Sequence, residues 1–321
     1  MTLTRPATSR WQRALASLLA AAGLLAACGG GTSQYDPFVA QRLFAFGDET
    51  STLTAAPAGN GRKYSVNGLD VDGNVDCRLE PLWVQSVASL YGFVFAECNR
   101  DNVAEPQARM YAAAAAKVAD VAAQVETAQV QSGGLRDKDL ATVMAGANDI
   151  LEIYARFPGE SEATLLTEAR ARGERLARAV NRLVELGAKV IVSDVPDMGL
   201  TPFAAQQKAL YTDTDRAALL TRLTTAFNEE LGVKVLLDGR FVGLVQAEMQ
   251  FRAVSLFPES FGLVNVTAAV CTVALPDCRS DTLLTGAVAS QYLWADATRL
   301  SSGGQAQLGT LARDRAQRNP F

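Results

Sequence analysis

The 321-residue chain contains no histidine. No imidazole can therefore act as general base, proton shuttle or metal ligand, which removes the commonest means of activating a serine or holding zinc. It has no C-x-x-C pair, no internal repeat and no low-complexity tract beyond a glycine-rich stretch at residues 29–37 (GGGTSQYDP). Basic residues are outnumbered, 30 against 34 acidic. That balance argues against a nucleic-acid partner, which needs a surplus of cations facing the phosphates.

What the chain does have begins at its amino end. Arg5, Arg10 and Arg13 form a basic region without an acidic residue, followed by an apolar core at 14–27 (ALASLLAAAGLLAA). Fourteen residues fall short of the roughly 20 that span a bilayer as an anchor, so the segment reads as an export signal. It ends in Leu25-Ala26-Ala27-Cys28, which resembles a bacterial lipoprotein processing box. We therefore expect residues 1–27 to be removed, the Cys28 sulfur to carry diacylglycerol, and residues 28–40 to serve as lipidated cysteine and flexible tether. The lipid would hold residues 41–321 to a membrane, each buried methylene contributing about 0.8 kcal/mol. Gly29, where retained lipoproteins often carry aspartate, favours the outer membrane. Without the three leader arginines the mature chain keeps 27 basic groups against 34 acidic, a net charge of −7.

With Cys28 used, four cysteines remain: Cys77, Cys98, Cys271 and Cys278. An even number in an exported protein suggests two disulfides, and pairing 77 with 98 and 271 with 278 closes the shortest loops. A zinc site is the rival, weakened by the missing histidines. No metal site or cofactor is expected.

Apolar runs alternate with helical periodicity. Strands are expected at 42–46, 140–146 (LATVMAG), 189–196 (KVIVSDVP), 241–246 (FVGLVQ) and 292–296 (YLWAD), the continuous β-branched runs suiting parallel strands buried on both faces. Helices are expected at 81–91, 107–131, 161–186, 214–236, 247–257 and 303–317, the last capped by Ser301 or Ser302. Trp83 reads as core and Trp294 as flanking the site or core. The stretch 213–222 (DTDRAALLTR) reads as a capped, solvated helix face. The alternation predicts an α/β fold, a three-layer α/β/α sandwich around a mostly parallel sheet in a flavodoxin-like arrangement. Glu49, Asn148 and Asp296 would lie at the carboxyl ends of strands, where such sheets carry function.

The order of motifs resembles the SGNH, or GDSL-type, lipase and esterase family. FAFGDETST (44–52) is similar to its first block, MYAAAAAKVADVAAQV (110–125) to its second, MAGANDI (144–150) to its third and YLWADATRLS (292–301) to its last. The segments 61–68, 81–92, 190–202 and 227–231 resemble the stretches between, so the likeness covers about residues 41–317. The resemblance implies an ester hydrolase in which serine attacks a carbonyl, histidine takes its proton, aspartate orients the histidine, and a glycine and an asparagine hold the oxyanion.

Carried over residue by residue, the nucleophile position is Glu49, the base position Arg299 and the oxyanion glycine Ala115; Asp296 and Asn148 match the family. Arginine cannot accept a proton near neutrality. The resemblance so implies a degenerate esterase or lipase homologue, with Asp296, Arg299 and Glu49 expected to form an ion-paired network filling the old site. On this reading the protein serves binding or envelope structure, with an acyl ester or glycan as the groove's ligand class. The alternative is an active ester hydrolase using other groups, such as Ser51 or Thr50, or Glu49 and Asp296 as paired carboxylates in glycoside hydrolysis.

Overall fold

A computed structural model describes residues 38–56 and 58–321. The expected leader, Cys28 and the tether through Pro37 lie outside the described residues.

Five parallel strands make the central sheet: β1 (Arg42–Gly47), β2 (Ala108–Met110), β3 (Asp139–Met144), β4 (Lys189–Ser193) and β5 (Val242–Val245), in the order β2-β1-β3-β4-β5. Alternation along β1 divides the core, as the two-residue period of a strand requires. Phe44 and Phe46 pack on one side with α2 (Val118–Gln131), α3 (Ala147–Tyr154), α4 (Glu162–Glu185) and α6 (Arg216–Lys234). Leu43 and Ala45 pack on the other with α1 (Trp83–Ser89), α7 (Ala247–Leu256) and α8 (Ser302–Arg318). The result is the α/β sandwich expected. A further helix, α5 (Pro202–Leu210), starts with Thr201 accepting the Ala204 N–H and proline in its first turn.

Several expectations need correction. Residues 107–131 are not one helix: Ala108–Met110 pairs with β1 as the edge strand, and α2 starts only at Val118. Alanine-rich sequence favours helix locally, but pairing with the buried β1 overrides propensity. The strand at 292–296 is shorter, β7 (Tyr292–Trp294), and pairs with β6 (Asn265–Ala269) in a separate two-stranded sheet. Ser301 occupies the cap of α8, but its hydroxyl donates to the carbonyls of Ala289 and Tyr292 rather than capping the helix. The 213–222 stretch is capped by Asp215 yet is not a solvated face. Arg216 is buried with its guanidinium 4.5 Å from the Phe157 ring and 4.4 Å from that of Tyr211.

The four cysteines form two disulfides, Cys77–Cys98 and Cys271–Cys278. Near the first, Lys63 is fully buried, its Nζ donating to the carbonyls of Cys77, Leu79 and Glu80. Burial pulls its pKa down to about 8, since a low dielectric disfavours the charged form.

The end of β1 aims the chain into the site. Gly47 has φ of +125°, and a Cβ there would lie 1.8 Å from the Met144 carbonyl oxygen. Only glycine permits that conformation and approach together. Gly47→Ala is expected to cost at least about 3 kcal/mol, read as a drop in the urea midpoint; an unchanged midpoint would refute the packing argument.

Candidate functional site

The chain turns immediately after Gly47. Asp48 N–H donates to the Met144 carbonyl at 3.0 Å, and the Ser51 and Thr52 amides bond back to the carbonyls of Asp48 and Glu49. This tight turn buries Glu49, 3% exposed, at the carboxyl edge of the sheet.

Three separate segments converge on its carboxylate. Oε2 accepts the Ala115 N–H at 2.8 Å and Asn148 Nδ2 at 2.9 Å. Oε1 accepts Arg299 Nε at 2.9 Å and Nη2 at 2.6 Å. Ala115 presents its N–H from a left-handed conformation, φ +59°. Asn148 stands in the first turn of α3, just after β3, and its amide also donates to the Ala116 carbonyl at 3.0 Å.

Arg299 is held from its other side by Asp296, whose Oδ2 accepts Nη1 at 3.0 Å. Asp296 Oδ1 accepts the amides of Thr298 and Arg299 at 2.8 and 2.7 Å, which shapes the loop that carries the arginine. Burial opposes the guanidinium's charge, but Glu49 and Asp296 outweigh it and raise the pKa of Arg299 above its ordinary value. No proton acceptor is left at this position. The structure thus brings together all five of Glu49, Ala115, Asn148, Asp296 and Arg299, and the expected network of Asp296, Arg299 and Glu49 is present. Beside Ala115 opens a cavity of about 480 Å³ lined by Tyr111, Ala113 to Ala116 and Gln124.

Other candidates lie elsewhere. Ser51 is fully buried and its Oγ accepts Trp83 Nε1 at 3.1 Å, so the hydroxyl is committed to the first helix. Trp294 is buried too, its Nε1 donating to the Val266 carbonyl at 3.0 Å, and packs rather than lining a groove. Among the described residues no cluster of histidine, cysteine, aspartate and glutamate is arranged to hold a metal ion.

One residue that the sequence reading did not assign is Asp48. Its Oδ1 accepts the Thr50 N–H at 2.9 Å, while Oδ2, buried, has no hydrogen bond among the described residues. Burial, helped by the Glu49 charge, pushes its pKa up to about 7. Burial likewise pushes Asp194, after β4, up to about 7; its Oδ1 accepts the Glu248 N–H at 2.9 Å. The Gly-Asp strand exit was visible in the sequence, but its burial depends on residues distant along the chain.

With this geometry in place, comparison with known proteins gives the class. The profile of the GDSL-like lipase/acylhydrolase family matches residues 43–281, and the chain belongs to that family. Asp296 and Arg299 lie beyond the matched span. The lipase Lip_vut3 from a goat rumen metagenome has a similar structure, with a TM-score of 0.50 and 13% identity over 87% of this chain and 99% of that one. The acetylxylan esterase Axe2 from Geobacillus stearothermophilus gives 0.43 and 15%, over 88% and 96%. A lipase/acylhydrolase from Enterococcus faecalis gives 0.39 and 14%, over 87% and 96%. Likeness at such identities is one of fold. No curated protein matches the sequence.

Asp48 and Asp194 bind protons in the folded state up to about pH 7, whereas unfolded aspartate releases them near 3.9. Their contribution to stability is full below pH 4 and lost as pH rises through 7. Asp48→Asn, which keeps an acceptor for Thr50, is expected to shrink the fall in Tm between pH 5 and pH 8 by about 3 °C or more; an identical fall would exclude Asp48 as a source. In a double-mutant cycle of Glu49→Gln and Arg299→Met, unfolding should show a coupling of about 1–3 kcal/mol, and additive effects would show that the pair contributes nothing as a pair.

Proposed function

We propose that the chain is a catalytically silent member of its family, a lipoprotein whose site serves binding or envelope structure rather than ester hydrolysis. The observation that carries this reading is that one oxygen of Glu49 receives both the Ala115 N–H and Asn148 Nδ2. By resemblance these are the donors that would hold a tetrahedral oxyanion, and their 2.8 and 2.9 Å distances are those such donors take. A carboxylate from the chain itself occupies the place of the anion that forms during reaction. A substrate carbonyl polarised there would meet both steric exclusion and like charge.

The rest of the arrangement supports the same conclusion. Arg299 stands where the family has its base and, as a guanidinium, accepts no proton. The carboxylate it faces is a weaker acyl-transfer nucleophile than an activated hydroxyl, and its four hydrogen bonds disfavour attack. Ser51, with its Oγ turned to Trp83, lends nothing to an alternative nucleophile. An arginine between Glu49 and Asp296 also speaks against paired carboxylates in glycoside hydrolysis, which need one acid protonated.

The lipoprotein part of the reading rests on the sequence: the basic leader, the short apolar core and Leu25-Ala26-Ala27-Cys28. It places the domain on a membrane, with the outer membrane favoured, facing an aqueous ligand of acyl-ester or glycan type.

Hydrolysis of short-chain p-nitrophenyl esters tests the silence. The wild-type protein should match its heat-denatured control. The Glu49→Ser/Arg299→His double variant, which restores nucleophile and base beside Asp296, should exceed it by about 10²-fold or more, while each single variant stays near background. Turnover by the wild type well above the control would overturn the proposal.

A further inference from the structure

Because β1, β3, β4 and β5 are parallel, their first residues share one end of the sheet, opposite the end that carries Glu49. Phe38, where the described chain begins, lies at this end. Its ring is 5.5 Å from that of the carboxyl-terminal Phe321 and 5.8 Å from Lys138 Nζ.

The neighbouring surface is connected by hydrogen bonds. The Gln41 N–H donates to the Lys138 carbonyl at 2.8 Å, and Lys189 Nζ to the Arg240 carbonyl at 2.8 Å. Asn319 Nδ2 reaches the Gly239 carbonyl at 3.1 Å, and the Leu236 N–H reaches Asn181 Oδ1 at 2.9 Å. On this end the chain leaves large aliphatics in solvent. Val39, Val130, Val233, Leu236 and Leu237 are each between 50% and 80% exposed. Lysines 138, 189 and 234 stand among them, in a protein whose overall charge is −4. Acids are present as well, and three are paired: Asp238 with Arg240, Glu230 with Lys234 and Asp314 with Arg318.

We propose that this end of the domain rests on the bilayer surface that receives the Cys28 lipid, a placement that depends on the lipoprotein reading above. The attachment of the lipidated segment at Phe38 supplies the argument for this occupant. Ten residue steps separate Cys28 from Phe38, and at full extension they reach at most about 35 Å. The anchor is therefore joined to an end that presents exposed aliphatics together with lysines. Aliphatic side chains enter the headgroup boundary, and lysine stems lie along apolar surface while their ammonium groups meet lipid phosphates.

The six residues of β1 set the Glu49 end about 20 Å further out. The Glu49 carboxylate and the Ala115 N–H then stand away from the membrane. A ligand reaching them would come from the aqueous phase or a polymer there rather than from a lipid of the same bilayer.

The test uses the full-length, lipidated protein in vesicles of phosphatidylethanolamine and phosphatidylglycerol doped with brominated phosphatidylcholine. A single cysteine is introduced as Val39→Cys, Leu237→Cys or, at the opposite end, Ala114→Cys, and labelled with an environment-sensitive fluorophore. The native cysteines of the domain are held in disulfides. Emission at 39 and 237 should rise about twofold on addition of the same vesicles lacking brominated lipid and rise clearly less when it is present, with position 114 unchanged in both. The mass of the amino-terminal peptide separates the two ways of failing. With diacylglycerol on Cys28 and vesicles bound, silent probes at 39 and 237 overturn this placement alone. A peptide without lipid overturns the anchoring reading and this placement with it. A concentration-dependent rise in detergent, before vesicles are added, would assign the surface to a second copy of the chain and also overturn the proposal.

Discussion

A single buried carboxylate ties together the functional end of this fold. Glu49 comes from the turn after β1, Ala115 from the loop before α2, Asn148 from the start of α3 and Arg299 from the loop after β7. Taking a carboxylate out of water is costly unless its lone pairs are satisfied by well-placed donors. Here two neutral donors bind one oxygen and a guanidinium binds the other. Asp296 on the far side of Arg299 directs the guanidinium so that its Nε and Nη2 both face Glu49. The network is thus satisfied on both sides, the condition under which a buried polar cluster specifies one arrangement.

The backbone around the carboxylate is organised for the same contact. Ala115 holds φ of +59°, where a residue with a Cβ is disfavoured by roughly 1–2 kcal/mol. That conformation turns its N–H onto Glu49, and hydrogen bonds to ionised groups are about twice as strong as neutral ones. The bond offsets the conformational cost, so alanine is tolerated at a position where the family resemblance implies glycine. Gly47 and its close approach to Met144 set the direction in which Glu49 leaves β1. The carboxylate and the two unusual backbone positions therefore depend on one another.

Much of the fold was legible because the central strands are continuous buried runs. Leu43 to Phe46 and Val190 to Val192 are fully buried, and such runs read as strands without tertiary information. Ala108–Met110 did not, because a three-residue edge strand beside an alanine run carries no periodic signal. The small sheet of β6 and β7 was missed as such for a related reason: its pairing joins segments about 25 residues apart with weak patterning. At the site, periodicity had nothing to say about the meeting of Glu49 and Arg299, 250 residues apart. Only the order of motifs suggested it. Asp48 and Lys63 were not singled out because burial, which gives both their chemistry, is a property of the folded chain.

The two charged residues at the centre of the network also constrain each other. If Arg299 alone were replaced by histidine, Glu49 Oε1 would lose two of the four hydrogen bonds to its carboxylate while staying buried. If Glu49 alone were replaced by serine, the partly buried guanidinium would keep only Asp296 as its acidic partner. Each single change takes from the remaining charged group its direct partner, and breaking a pair from one side costs more than the pair itself contributes. Both changes together remove both charges of the pair. The stability of this arrangement is then a property of the pair rather than of either residue alone.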